Sequence, residues 1–334
     1  MKKQSFIIMY LTIILLCVFA DDTHIQMGIG GIEYFDSEDE NISLSNEILT
    51  IHLNDNNVDY KIEFEFYNAG KAVEYNIGFP VYFDAGYDKS LSYEKNIPIK
   101  SFETSVNGIN VDFIKKVEKL PNGVVAWYVK KVIFPENSIT RVNVEYQSNY
   151  GRYGGYPFSI YTVNYFYGSA NTWKNKISTF RIIVINNSDK YICNFSNVLI
   201  NQIKPEYKVI GQETTEILYS SIKPDKNSQI NIEMITIENI SGFGDDVNAD
   251  TKNYKIEKED ILFYNSKQLR FLRNLYYAMN GYIFKNNELK DFFNKTLKYY
   301  KKYNPQFTNV DDRFNDIEKE SIKVIQDLEN ERQK

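Results

Sequence analysis

The chain offers few side chains able to make or break bonds. Its histidines are His24 and His52, and its cysteines are Cys17 and Cys193. A Cys–His dyad would have to bring Cys193 to a histidine from a separate part of the chain. No local signature surrounds Cys193, so a buried thiol is the reading its neighbours favour. The sequence contains no Gly-x-Ser-x-Gly, His-Glu-x-x-His or Gly-x-x-x-x-Gly-Lys-Ser/Thr run. So few His and Cys also argue against zinc. No catalytic residue is assigned on these grounds. Carboxylates are a separate matter, because a glycosidase needs only two at the right separation. With 44 acidic residues, a carboxylate-dependent envelope glycan hydrolase stands as the rival reading, but nothing singles out a pair.

One acidic stretch has metal-ligand spacing. Asp246, Asn248 and Asp250 repeat the 1-3-5 oxygen pattern of a calcium loop, and Glu257 falls at position 12. Thr251 stands at position 6, where the sharp turn wants Gly, and no helix precedes the stretch. A solvated linker competes with calcium here, and no other cofactor is implied.

The strongest binding feature is aromatic. Tyr150, Tyr153, Tyr156, Phe158, Tyr161, Tyr165, Phe166, Tyr167 and Trp173 crowd one short segment. Exposed rings with polar tips stack on sugars or anchor a protein partner. Tyr153, Tyr156, Tyr161, Tyr165, Tyr167 and Trp173 are therefore the candidate binding residues. The competing reading is packing between two structural units.

The elements that must position these groups begin with a leader. Lys2 and Lys3 precede an apolar run from Phe6 to Phe19, and Val18-Phe19-Ala20 is acceptable to a signal peptidase. Residues 1–20 read as a secretory signal peptide, with a retained anchor as the alternative. The run is shorter than the ~20 residues of a spanning helix. The large Leu16 precedes Cys17 where a lipobox wants a small residue, so lipid anchoring at Cys17 is not expected. Cleavage would leave 37 basic against 44 acidic side chains, a net −7. That balance argues against nucleic acid and anionic lipid as partners. It would also leave Cys193 without a disulfide partner.

From there to residue 240 the pattern is β. Val58 to Phe66 alternates apolar and polar without a break, as a strand with one buried face does. Further strands are predicted over 47–53, 124–134, 140–146, 180–185, 198–203, 215–219 and 229–237. Asn107-Gly108 between alternating runs is a hairpin signal. Residues 149–172, rich in Gly, Tyr and Ser, read as a junction between two β blocks, and 241–257 as a polar linker.

The C-terminal part is helical. Leu269, Leu272, Leu275, Tyr276 and Met279 share one helical face, with Asn265 or Ser266 as cap and Gly281 at the left-handed position past its end. Asn286 or Asn287 caps a second helix carrying Leu289, Phe292, Phe293 and Leu297. A third is predicted to begin near Thr308 or Asn309, burying Phe314, Ile317, Ser321, Val324, Ile325 and Leu328. Ala278, Gly281, Tyr277, Tyr282 and Phe284 have the residue types of a tight corner between helices. Arg273 could hold an acidic ligand, but pairing with Glu318 or Glu320 is the reading the sequence favours.

Two resemblances follow. Met27-Gly28-Ile29-Gly30-Gly31-Ile32, the run ending Ile77-Gly78-Phe79-Pro80, and Tyr165 to Lys174 resemble the bacterial exported domain-of-unknown-function family 4424 over about 21–240. Leu272-Arg273-Asn274, Tyr277-Ala278 and Gly281-Tyr282-Ile283-Phe284-Lys285 resemble the YARHG domain, a module of extracellular bacterial proteins, over about 262–330. Met279 and Asn280 stand where that family's name-giving Arg-His pair would be. The resemblances imply export and a β architecture, and neither implies a reaction.

The fold expected is mainly β with a small α domain: two antiparallel β-sandwich-like blocks followed by a C-terminal three-helix module. The division expected is 1–20 signal peptide, 21–148 first β-sandwich-like domain, 149–240 second β domain with the aromatic junction, 241–257 linker and 258–334 helical domain. The function expected is that of a secreted, periplasmic or cell-envelope, non-catalytic binding or assembly protein. Its partner would be a protein or envelope glycan, with no transmembrane segment after leader cleavage.

Overall fold

Uninterrupted alternation puts every second side chain of a strand on one face, and in this chain two such faces close on each other. The computed structural model describes residues 30–34, 41–83, 97–120, 123–153, 158–198, 204–237, 255–297 and 305–332. The leader and the 238–254 stretch lie outside them. The strands are β1 (Glu33–Tyr34), β2 (Ile42–Leu53), β3 (Val58–Asn68), β4 (Val73–Phe83), β5 (Ile99–Val106), β6 (Ile109–Asn110), β7 (Ile114–Leu120) and β8 (Gly123–Phe134). They continue with β9 (Ser138–Ser148), β10 (Gly151–Tyr153), β11 (Phe158–Phe166), β12 (Ile177–Asn186), β13 (Tyr191–Val198), β14 (Tyr207–Ile210), β15 (Thr214–Ile222) and β16 (Gln229–Ile237). Among the described residues three helices follow: α1 (Ser266–Met279), α2 (Asn287–Thr296) and α3 (Asp316–Glu331). The protein is mainly β with a small helical part.

An eight-stranded sheet, in order β14-β15-β12-β2-β3-β9-β5-β6, forms one layer. Two four-stranded sheets, β1-β4-β8-β7 and β10-β11-β16-β13, face it. Inward side chains of both layers share one core, with Phe79 against Tyr146 at 5.3 Å and Phe66 against Phe134 at 5.8 Å. Strands before Ser148 pair antiparallel among themselves, and so do those after Gly151. The named pair that joins the two groups is β2 with β12, and it is parallel, with Thr179–Asn186 alongside Asn46–Leu53.

Local chemistry explains several boundaries. Asn107 and Gly108 both have positive φ, 49° and 81°, the turn that matches strand twist in a two-residue hairpin. A bulge at Ser45 shifts the register of β2 against β3. Before it Ile42 and Leu44 face the core; after it Glu47, Leu49, Ile51 and Leu53 do. Gln212 shields the outer edge of β13 by accepting from the Ile192 amide at 2.9 Å and donating to the Ile192 carbonyl at 2.9 Å. Of the strand predicted at 198–203, Val198 belongs to β13 and the rest lies outside the described residues. The 149–172 junction contains β11, a strand interior to its sheet. Both faces of β11 meet packing, so it shows no polar-apolar alternation.

The helices pack on the outer face of β11, β13 and β16. Phe158, Ile160, Tyr191, Cys193, Ile235 and Ile237 join the helical residues in a second core. Tyr191 meets Phe271 at 5.4 Å and Phe292 at 5.2 Å, edge to face. The 255–257 end of the expected linker belongs to this core: Ile256 is buried and its amide donates to Ser321 Oγ at 3.1 Å. The third helix starts later than the sequence suggests. Asp311–Arg313 form a separate 3-10 turn, and Asn315 caps α3 through a reciprocal capping box with Glu318. Its buried side chains are Glu318, Ser321, Ile322, Ile325, Leu328 and Glu329; Ile317 and Val324 lie at the margin.

A carboxyl and an amine sit on core-facing strand positions. Burial pushes the Glu47 carboxyl up to about 8, against a lowering hydrogen bond from Tyr165. Burial also pushes the Lys130 amine down to about 7. Between about pH 4.5 and 8 the unfolded chain gives up the Glu47 proton while the native state keeps it, so stability falls as pH rises. Between about pH 7 and 10.5 the native state has released the Lys130 proton and the unfolded chain has not, so stability rises with pH. Denaturant unfolding should therefore show a stability minimum near pH 7 to 8, with limbs of at most ~1.4 kcal/mol per pH unit. Glu47→Gln should flatten the acid limb, and Lys130→Met the alkaline limb.

Candidate functional site

The aromatic segment divides among several environments. Tyr165, Tyr167 and Trp173 are core residues, each no more than 1% exposed. This corrects their reading as ligand-stacking rings, because they are spent on joining the two β groups. Trp173 lies 4.5 Å from Phe66, and its indole N–H donates to the Ile32 carbonyl at 2.5 Å. Tyr167 packs on Phe180 at 4.9 Å. The Tyr165 hydroxyl donates to Glu47 Oε1 at 2.8 Å and accepts from the Gly31 amide at 3.2 Å. Burial, then the Glu47 charge, holds its pKa well above the ordinary phenol value.

Tyr161 is half-buried and already faces a cation. Lys190 Nζ sits 4.8 Å from its ring centre and 5.2 Å from that of Tyr150. The two rings meet edge to face at 5.6 Å. Lys190 Nζ donates to the Asp55 carbonyl at 2.5 Å, and the Tyr150 hydroxyl donates to the Asn54 carbonyl at 2.6 Å. A desolvated cation–π contact is worth about 2 kcal/mol, so this pair of rings serves the chain's own lysine. Tyr153 stands at the seam with the helices, its hydroxyl donating to Glu233 Oε1 at 3.1 Å. Tyr156 lies outside the described residues.

Cys193 is the extra residue of a β-bulge between Ile192 and Asn194. Its thiol donates to the Glu233 carbonyl at 3.3 Å and lies 3.8 Å from Gln268 Nε2. Burial pushes it up to about 12, the opposite of what a nucleophile needs. Among the described residues no group of three or more His, Cys, Asp or Glu is placed to hold a metal ion. Asp246, Asn248 and Asp250 lie outside those residues. Glu257, the proposed twelfth position, caps a short 3-10 turn and lies 3.5 Å from Lys255.

A concave surface lies on the helical module. Gly281 has φ 80° just past α1. The Tyr282 amide donates to the Tyr277 carbonyl and the Gly281 amide to the Ala278 carbonyl, the paired bonds of a Schellman cap. The Gly281 carbonyl then accepts from the amides of Gln306 and Phe307. This draws the 305–311 segment alongside Tyr277 and Tyr282. Phe284 stacks on Phe293 at 5.0 Å and completes the corner. Asn280 closes it from inside, donating to the Tyr276 carbonyl at 2.9 Å and to Glu318 Oε1 at 3.0 Å.

A groove of about 360 Å³ results, lined by Arg273, Asn274, Tyr277, Tyr282, Thr308 and Asp311 among others. A neighbouring depression of about 350 Å³ shares Arg273 and is bordered by Gln326, Asp327 and Glu329. Arg273 Nε donates to Glu329 Oε2 at 2.7 Å. Its partner is thus Glu329, not Glu318 or Glu320: Glu318 is used at the helix cap and Glu320 pairs with Lys255 at 3.1 Å. Periodicity marked the apolar faces but not which acid of α3 rotates toward α1.

Residues 247–330 match the YARHG domain, and residues 20–124 match the Domain of unknown function (DUF4424). None of the curated proteins matches the chain by sequence. Among solved structures, the chain is similar to a "putative nutrient binding protein" of Legionella pneumophila, with a TM-score of 0.50 at 18% identity, covering 90% of this chain and 97% of that one. That likeness concerns the fold alone. The leukotriene A4 hydrolase of Saccharomyces cerevisiae aligns with a TM-score of 0.33 at 10% identity, over 58% of this chain and 29% of its own. An M1 zinc metallopeptidase of Deinococcus radiodurans gives 0.30 at 7%, over 59% and 43%.

The thiol assignment is directly checkable. In a Cys17→Ser chain, Cys193 should stay unmodified by an aromatic disulfide reagent in native buffer and react completely in denaturant. Rapid reaction of the native protein would place the thiol at the surface.

Proposed function

We propose that this is an exported, non-catalytic binding protein of the cell envelope. The two β groups, which meet near residue 148, act together as the scaffold, and the helical module carries the ligand seat. The observation that carries this reading is the pair of adjoining depressions around Arg273, rimmed by Asn274, Tyr277 and Tyr282. Guanidinium and phenol groups beside a concavity are recurrent anchors of recognition. The apolar leader and the match to the YARHG domain support export to the periplasm or cell surface. The likeness to a protein described as nutrient binding supports a ligand-holding role. Among the described residues no helix is long and apolar enough to cross a membrane. The partner is a protein or an envelope polymer.

A glycan hydrolase would need two facing carboxylates in an open cleft. Glu47, whose carboxyl pKa burial raises, is sealed among core phenols. The geometry gives the hydrolase reading no support.

The test is retention of envelope components on the immobilised full chain. Wild-type protein should hold a polymer or protein fraction that Arg273→Gln and Tyr282→Ala chains lose, while all three melt cooperatively. Equal retention by folded variants would move the seat elsewhere.

A further inference from the structure

Deepening that reading, and resting on it, we infer that the groove recognises a zwitterion: a carboxylate and an ammonium a few atoms apart, the chemistry of an amino acid or a short peptide. Arg273 and Asp311 line the same groove, yet they form no ion pair with each other. Arg273 commits Nε to Glu329 and makes no hydrogen bond from its other guanidinium nitrogens among the described residues. Asp311 is exposed, and its carboxylate likewise makes no bond there. Opposite charges that share a space without meeting leave room for the complementary pair on a ligand.

Simpler ligands fit less well. A lone carboxylate drawn to Arg273 would meet repulsion from Asp311, Asp327 and Glu329, which border the same concavities. A lone cation drawn to Asp311 would be opposed by Arg273. A zwitterion satisfies both, with its carboxylate on the guanidinium through charge-assisted hydrogen bonds and its ammonium on Asp311. Tyr277 stands within reach of both charges: burial first and then Asp311 raise its pKa, while Arg273 lowers it. Its hydroxyl has no hydrogen-bond partner among the described residues and can serve the same carboxylate. Tyr277 and Tyr282, ring centres 5.8 Å apart and edge to face, supply a wall for the ligand's carbon skeleton. A groove of about 360 Å³ lies at the small end of ligand sites.

Titration calorimetry on the full chain tests this. The probes are the common L-amino acids, the dipeptide Gly-Leu, and soluble peptides released from peptidoglycan; N-acetyl-L-leucine and L-leucinamide are the blocked controls. At least one zwitterion should saturate a single site, and blocking either of its charged ends should weaken it about tenfold or more. Asp311→Asn should remove the preference over the N-acetyl form. Arg273→Gln should remove the preference over the amide, and Tyr277→Phe should weaken the zwitterion without lowering the melting temperature. The inference is overturned if no zwitterion saturates, or if blocked forms bind equally well. In that event, continued Arg273-dependent retention of an envelope component would leave the binding seat standing and sink only the ligand class. Loss of both would sink both.

Discussion

The parallel alignment of β12 beside β2 is the constraint on which the architecture depends. Two parallel strands of one sheet cannot be joined by a tight hairpin; the chain must leave the layer and return. β9 lies parallel to β2, two strands away, so the chain from β9 to β12 makes such an excursion. On the way it builds β10 and β11 in the opposite layer and comes back through the 3-10 turn Gly168–Thr172. From Val163 to Trp173 this crossover turns buried side chains toward the first layer. That accounts for the concentration of rings between Tyr150 and Trp173: Tyr165, Tyr167 and Trp173 are the inward side of the excursion.

The same junction explains why the core tolerates Glu47. An ionised carboxylate there would be prohibitively costly, so burial keeps the proton on. Its bond to Tyr165 ties β2 to β11 across the sandwich. Among the described residues Glu47 Oε2 has no partner, a cost of about 1–3 kcal/mol. The position was partly legible. Apolar residues switch from even numbers (Ile42, Leu44) to odd (Leu49, Ile51, Leu53), and such a switch demands one inserted residue. Once the bulge at Ser45 is granted, Glu47 falls in the buried set. What cannot be read from one strand is the hydroxyl that meets it.

Legibility followed the range of the interaction. Elements governed by neighbouring residues were readable: the alternation of β3, the Asn107-Gly108 hairpin, the Asn265 cap and the Gly281 cap. The start of α3 was misplaced because Asp311 and Asp312 look like a first turn, while the stronger signal is the reciprocal Asn315–Glu318 cap. Contacts set by packing were unreadable. The rings of Tyr150 and Tyr161 look available in the sequence until Lys190 arrives from a distant turn. The partner of Arg273 depends on the rotation of α3 about its axis. The groove unites the end of α1 with the 305–311 segment through backbone bonds, the Gly281 carbonyl accepting from Gln306 and Phe307 and the Ile283 amide donating to the Phe307 carbonyl.

Asn280 shows how this corner is held rigid. It occupies the place of the YARHG histidine and spends its amide on Tyr276 and Glu318. Glu318 in turn caps α3 through its other oxygen. One buried amide therefore links the end of α1 to the start of α3, and an amide has no proton to lose across the physiological range. The module is also fixed to the scaffold, since Phe158, Tyr191, Ile235 and Ile237 pack into its core and the Tyr264 hydroxyl donates to the Phe158 carbonyl at 3.2 Å. The sheet containing β11 and β16 is buried on one face by the sandwich and on the other by the helices. A ligand seated at Arg273 would thus be presented in a set orientation relative to the β layers, which is what a scaffolded binding site requires.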